Sequence, residues 1–172
     1  MSTLATLSSL AVLLLLTLPI AIIDWQKMII PDRLNLLLAI SGWLFSCLLP
    51  VPGITDSISG LLAGGALSWS LRHIFFQIRK IEGLGLGDVK FMAAAGGWTG
   101  SFSLPPMLLL ASCTALLYYA FTLWRQAPDL HHRRLPFAPF LCIALVLVAG
   151  AQIISGNDIY AIAILSAFRP NL

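Results

Sequence analysis

Six apolar stretches, separated by short polar breaks, run along the 172 residues of this chain. They are Leu4–Ile23, Leu34–Leu49, Ile58–Ile78, Val89–Leu104, Pro106–Trp124 and Pro136–Ile154. A helix crossing a bilayer needs about 20 apolar residues, within a range of ~17–25. The second and fourth stretches fall at or below the short end of that range. A further apolar run, Ile159–Phe168, is too short to cross and is expected to lie at the interface or to pack on the bundle. The pattern predicts an all-α fold: a polytopic membrane helical bundle with about six transmembrane helices, forming one domain over residues 1–172.

Composition excludes an ordinary soluble domain. Hydrophobic residues make up 59% of the chain and charged residues 10%, with a mean hydropathy of +0.93. Soluble domains carry roughly 25% charged residues. The first apolar run has no basic segment before it and leads into Asp24-Trp25-Gln26-Lys27, not into a small-residue cleavage site. It reads as a retained helix and not as a secretory signal. No lipidation motif is present.

Charge then orients the bundle. With six spans, the connections Asp24–Arg33, Arg79–Asp88 and Arg125–Leu135 share one side. Those loops and adjoining helix ends hold Lys27, Arg33, Arg72, Arg79, Lys80, Lys90, Arg125, Arg133 and Arg134, whereas only Arg169 falls on the other side. The positive-inside rule places the basic side in the cytoplasm and both termini outside. Asp24 ends an inward-running span and Asp88 begins an outward-running one. The two are therefore expected at one depth, on the cytoplasmic face.

These two aspartates are the candidate chemistry. Asp88 closes the glycine-alternating run Gly83-Leu84-Gly85-Leu86-Gly87-Asp88, where the glycines free the backbone and remove bulk before the carboxylate. A carboxylate at the edge of an apolar segment is costly and usually functional. Two carboxylates held close cannot both ionise cheaply, so one keeps a proton while the other stays charged. Such a pair can draw a proton from water and polarise a peptide carbonyl, with no metal, cofactor or nucleotide required. It can equally relay protons or cations through a membrane subunit, and an aspartate at a helix boundary can be only a cap or an interfacial charge. Asp32, after Pro31, is expected to cap a helix; Asp56, Asp129 and Asp158 are expected in solvated loops.

Other features add little chemistry. The glycine run completes neither a Walker loop nor G-x-G-x-x-G, so neither nucleotide nor nucleic acid is an expected partner. Cys47, Cys113 and Cys142 are isolated, with no C-x-x-C pair, and read as membrane-buried packing residues. His131 and His132 lie in a basic segment and do not share a helix face. No metal site is expected there. Gly60 with Gly64, and Gly96 with Gly100, form G-x-x-x-G pairs suited to close helix packing within the fold or between copies in a homodimer. Lys90 either supports Asp88 or reaches to the headgroups. Glu82 is assigned to the loop, and the five tryptophans to the interface or to packing. The basic loops suit contact with anionic membrane lipids.

Taken in order, several of these segments resemble the type IV prepilin peptidases, the bacterial branch of the GxGD membrane aspartyl proteases. The first is Ile23-Asp24 followed by Met28-Ile29-Ile30-Pro31-Asp32-Arg33-Leu34. The second is Glu82-Gly83-Leu84-Gly85-Leu86-Gly87-Asp88-Val89-Lys90, extended by Gly96-Gly97-Trp98-Thr99-Gly100. The third is Leu135-Pro136-Phe137-Ala138-Pro139-Phe140. The resemblance implies that Asp24 and Asp88, 64 residues apart, are the catalytic pair, with Gly85, Gly87 and Lys90 supporting the catalytic loop. It implies a substrate as well: the leader of a prepilin or pseudopilin, cleaved at the cytoplasmic face after a glycine and before a hydrophobic helix. Two departures stand out. Ala138 replaces the glycine usual in the third element. The paired C-x-x-C region that many members carry for N-methylation is not in this sequence, so methyltransferase activity is not expected.

Overall fold

The computed structural model describes residues 3–80, 83–125 and 136–157. They form six helices: α1 (Thr3–Lys27), α2 (Asp32–Ser46), α3 (Ile54–Arg79), α4 (Leu86–Thr99), α5 (Leu104–Trp124) and α6 (Ala138–Ser155). The fold is all-α, a membrane helical bundle. Three helices, α1, α5 and α6, are long and apolar enough to cross a membrane. The 26-residue α3 has the length, but Ser and Gly dilute its apolarity. With 15 and 14 residues, α2 and α4 rise only about 22 and 21 Å, less than the ~30 Å apolar core of a bilayer.

The helix ends differ from the apolar runs where polar residues are compatible with a helix. The polar step after Ile23 continues α1 to Lys27, so Asp24 lies one turn inside the helix end. Helix α4 starts at Leu86, which puts Asp88 in its first turn. Asp56 is half-buried in the first turn of α3 and not in a loop, which corrects the expectation for it. Asp32 is likewise not a cap. Pro31 occupies the N-cap position without a side-chain cap bond, and Asp32 is the first residue of α2. Asp129, Asp158, Glu82, His131, His132 and the run Ile159–Phe168 lie outside the described residues.

Two helices carry most of the interior. α4 packs on α2, α3 and α6, and α6 packs on α1, α4 and α5. Nearly every residue of α4 from Val89 to Thr99 is buried. The close approach of α3 to α4 depends on glycine. A Cβ on Gly60 would land on the Gly96 carbonyl oxygen, one on Gly96 would land on the Gly60 carbonyl, and one on Gly64 would strike the Met92 carbonyl. Both G-x-x-x-G pairs are thus used inside the fold, where small residues let helix backbones touch.

Buried polar groups in this apolar bundle find partners on neighbouring helices, as a low-dielectric interior demands. Trp98, fully buried and not interfacial, donates Nε1–H to the Leu38 carbonyl at 2.8 Å. Ser57 donates to the Gly97 carbonyl at 2.7 Å. At the end of the bundle remote from the aspartates, Gln152 of α6 donates to Ser103 Oγ at 2.8 Å and to the Thr99 carbonyl at 3.2 Å. Cys142 is buried, whereas Cys47 and Cys113 are exposed on the protein surface.

Candidate active site

The chain turns sharply just after Asp24. α1 ends with Met28 at φ 53, in the left-handed region that non-glycine residues rarely occupy, and the Met28 N–H closes on the Asp24 carbonyl at 2.8 Å. Ile29 and Ile30 belong to no regular element, and Pro31, in an extended conformation, leads into α2. This turn keeps the last turn of α1 and the start of α2 side by side, and residues 28–32 form one wall of a cavity of about 440 Å³. The other wall is the glycine segment, residues 85–88, with Lys90. Asp24 and Asp88 both line this cavity, close enough for each to feel the other's charge.

Each carboxylate meets a backbone N–H at a helix start. Asp24, only 6% exposed, accepts the Ala138 N–H of α6 on Oδ2 at 3.2 Å. The first N–H groups of a helix have no partner within it and carry the positive end of the helix dipole. Asp88, half-buried in the first turn of α4, accepts the N–H of Gly85, the N-cap of its own helix. A carboxylate at the third helical position reaching back to the N-cap N–H is half of a capping box. Buried Cys142, one turn into α6, lies within electrostatic reach of both carboxylates.

The glycines fit this geometry tightly. A Cβ on Gly85 would sit 3.1 Å from Asp88 Oδ2, and one on Gly87 would sit 3.1 Å from Ile30 Cβ. At Gly83, a Cβ would run into the Phe75 ring. Arg72 of α3 donates to the Leu84 carbonyl and ties the glycine segment to the end of α3. Buried Asn35 of α2 donates Nδ2–H to the Gly87 carbonyl at 3.4 Å.

Lys90 reaches across to α2. Its Nζ pairs with Asp32 Oδ1 at 2.7 Å, both side chains being well exposed, so its ion pair is with Asp32 and not with Asp88. The pair links the starts of α2 and α4 at the cavity mouth. Among the described residues, no group of three or more His, Cys, Asp or Glu is gathered to hold a metal ion.

Four contributors were not read as site residues in the sequence: Ala138, Arg72, Asn35 and Met28. Ala138 acts through its backbone N–H, which explains why a methyl group is accommodated where a glycine was expected. The only sequence signal for it was the Pro-Phe-Ala-Pro-Phe element itself. Arg72 counted only towards the charge asymmetry, and Asn35 gave no signal at all.

The profile of the Type IV leader peptidase family matches residues 10–120, a stretch that holds both aspartates. Several relatives carry the name prepilin leader peptidase/N-methyltransferase. One from Aeromonas hydrophila is 39% identical over 141 residues, covering 79% of this chain and 47% of its own length. One from Klebsiella pneumoniae is 39% identical over 104 residues, covering 60% and 46%. One from Escherichia coli is 30% identical over 133 residues, covering 77% and 58%. The chain spans about half the length of the curated relatives it matches. No solved structure matches it. With the profile running through both walls of the aspartate cavity, and relatives aligned over more than three quarters of its length, this chain belongs to the type IV leader peptidase family.

Proposed function

We propose that residues 1–172 act as a single membrane aspartyl endopeptidase domain. It removes the N-terminal leader of a type IV prepilin or pseudopilin at the cytoplasmic face of the bacterial inner membrane. The observation that carries this reading is the meeting of Asp24 and Asp88, 64 residues apart in sequence, in one cavity at one end of the bundle. The prepilin leader peptidase relatives favour it over a proton or cation relay.

The chemistry follows from the pair. The ionised carboxylate takes a proton from a water molecule, whose oxygen attacks the scissile carbonyl carbon. The protonated carboxylate donates to the carbonyl oxygen, and a proton then passes to the departing amine. The two titrate as a unit, so neither role belongs permanently to one residue. The Ala138 and Gly85 N–H groups fix the orientation of the carboxylates, and Gly85 and Gly87 leave room for a substrate backbone to approach. Lys90, paired with Asp32, holds the start of α4, which carries Asp88, against α2. The asymmetry of Lys and Arg supports a cytoplasmic site with both termini outside. The exposed apolar faces of α1 and α5 meet membrane lipid. The peptidase step is the one addressed by this pair.

Co-expression of the protein with candidate prepilins and pseudopilins, followed by mass measurement of the pilin, tests the reading. A pilin shortened by its leader is expected. Precursors that all keep their leaders beside a membrane-inserted protein would overturn it.

A further inference from the structure

A second cavity, of about 500 Å³, adjoins the aspartate cavity on the lateral face where α2, α3 and α4 meet. Its lining includes Asn35, Leu36 and Ala39 of α2, Leu61 of α3, and Ala93 and Ala94 of α4. Asp32 and Lys90 line both cavities, so their ion pair stands at the junction. The lateral cavity between α1 and α6, lined by Leu18, Ile22 and Pro139 among others, shares no lining residue with the aspartate cavity.

Helices α2 and α4 both begin at the aspartate end and run away from it into the bundle. From Asp32 to Ala39 the groove therefore extends about 10 Å into the apolar depth. Beyond the Asp32–Lys90 pair at its mouth, its surface is alanine and leucine, except at Asn35. That side chain is only 4% exposed, and its amide nitrogen faces the Gly87 carbonyl. Its Oδ1 has no hydrogen-bond partner among the described residues. A buried amide oxygen left unpaired in an apolar setting is costly. A peptide brings N–H donors to such an acceptor, whereas a lipid acyl chain brings none.

We infer that this groove seats the apolar segment of the substrate that follows the scissile bond, with Asn35 accepting one of the free backbone N–H groups of that segment's first turn. The inference rests on the leader-peptidase reading above. The leader lies at the aspartate cavity, the chain passes the Asp32–Lys90 pair, and the apolar segment runs between α2 and α4. Specificity then resides partly in a surface outside the catalytic pair.

The test uses the full-length protein in proteoliposomes and two substrates. One is an intact prepilin, and the other is its leader sequence ending two residues past the scissile bond and fused to a soluble reporter. Ala39→Phe fills the groove and is expected to lower kcat/KM for the intact prepilin about tenfold more than for the truncated substrate. A photo-reactive amino acid at Leu36, in the Asp24→Asn background, is expected to cross-link the intact prepilin, while the same group at Ile22 is not. Equal effects of Ala39→Phe on both substrates would overturn the inference, as would adducts from Leu36 to lipid alone. The cross-link decides the matter if Ala39→Phe fails to fold. Failure of the underlying reading is seen separately, as an intact leader after incubation with the unmodified protein.

Discussion

Among the described residues, Asp24 and Asp88 are each held by a backbone N–H and not by a side chain, and this decides which substitutions matter around them. Gly85 is the sharpest case. Its backbone, at φ −66 and ψ 147, suits any residue, so alanine there costs no backbone strain. The added Cβ would nevertheless sit 3.1 Å from Asp88 Oδ2 and displace the carboxylate by a few tenths of an ångström. Misplacing a reacting group by about 1 Å can cost roughly a hundredfold in rate, and a shift of this smaller size is expected to cost about tenfold. Gly85→Ala should therefore lower kcat for leader removal about tenfold with an unchanged melting temperature, as measured by turnover and thermal unfolding side by side. A fall in both together would point to a folding role instead. The aspartates were legible in the sequence because a carboxylate at the edge of an apolar run stands out. Ala138 and Arg72 were not, because one acts through its own N–H across 114 positions and the other on the Leu84 carbonyl. Backbone partners leave no pattern of side chains to read.

At the scale of elements, the contact of α3 with α4 supports the site, since α4 carries Asp88 and α3 anchors the glycine segment through Arg72. The atoms that a Cβ would meet at Gly60 and Gly96 are helix backbone, which cannot give way. Gly96→Val is expected to force the helices apart and to destabilise the protein by about 3 kcal/mol or more, in the range of severe overpacking. Gly65→Ala is the matched control. Its Cβ would meet only the Ala93 Cβ at 3.4 Å, ordinary contact, and the gain in helix propensity of up to about 1 kcal/mol makes it neutral or stabilising. Chemical or thermal unfolding in detergent checks both, and equal stability of the two variants would contradict this account of the crossing. The glycine spacing was visible in the sequence. Whether it served the fold or a partner copy was not, because the same small stripe suits either, and only the placement of Gly60 against Gly96 assigns it to the interior. Helix ends were misjudged for a related reason. Hydropathy marks where apolar character stops, whereas α1 continues through Asp24 to Lys27 on residues that a helix tolerates.

On the scale of the whole molecule, the all-α membrane bundle was legible from hydropathy alone, and the shared end of Asp24 and Asp88 followed from counting spans. Their convergence in one cavity needed the tertiary structure. It depends on α6, which docks its first N–H on Asp24, and on the left-handed Met28, which folds the start of α2 back beside α1. Buried α4 and α6 thus frame the carboxylates, while the flanking helices keep their exposed apolar faces for the membrane. The proposed function has two aspartates, acting as one pair, cleaving the leader. Its most direct test is the rate of leader removal from a prepilin by the purified protein in proteoliposomes, compared with Asp24→Asn and Asp88→Asn, each verified as folded and inserted. Residues that act as a unit each cost about as much to remove as the whole unit, so each variant should lose activity by roughly a thousandfold or more. Leader removal at the rate of the unmodified protein by either variant would contradict the account.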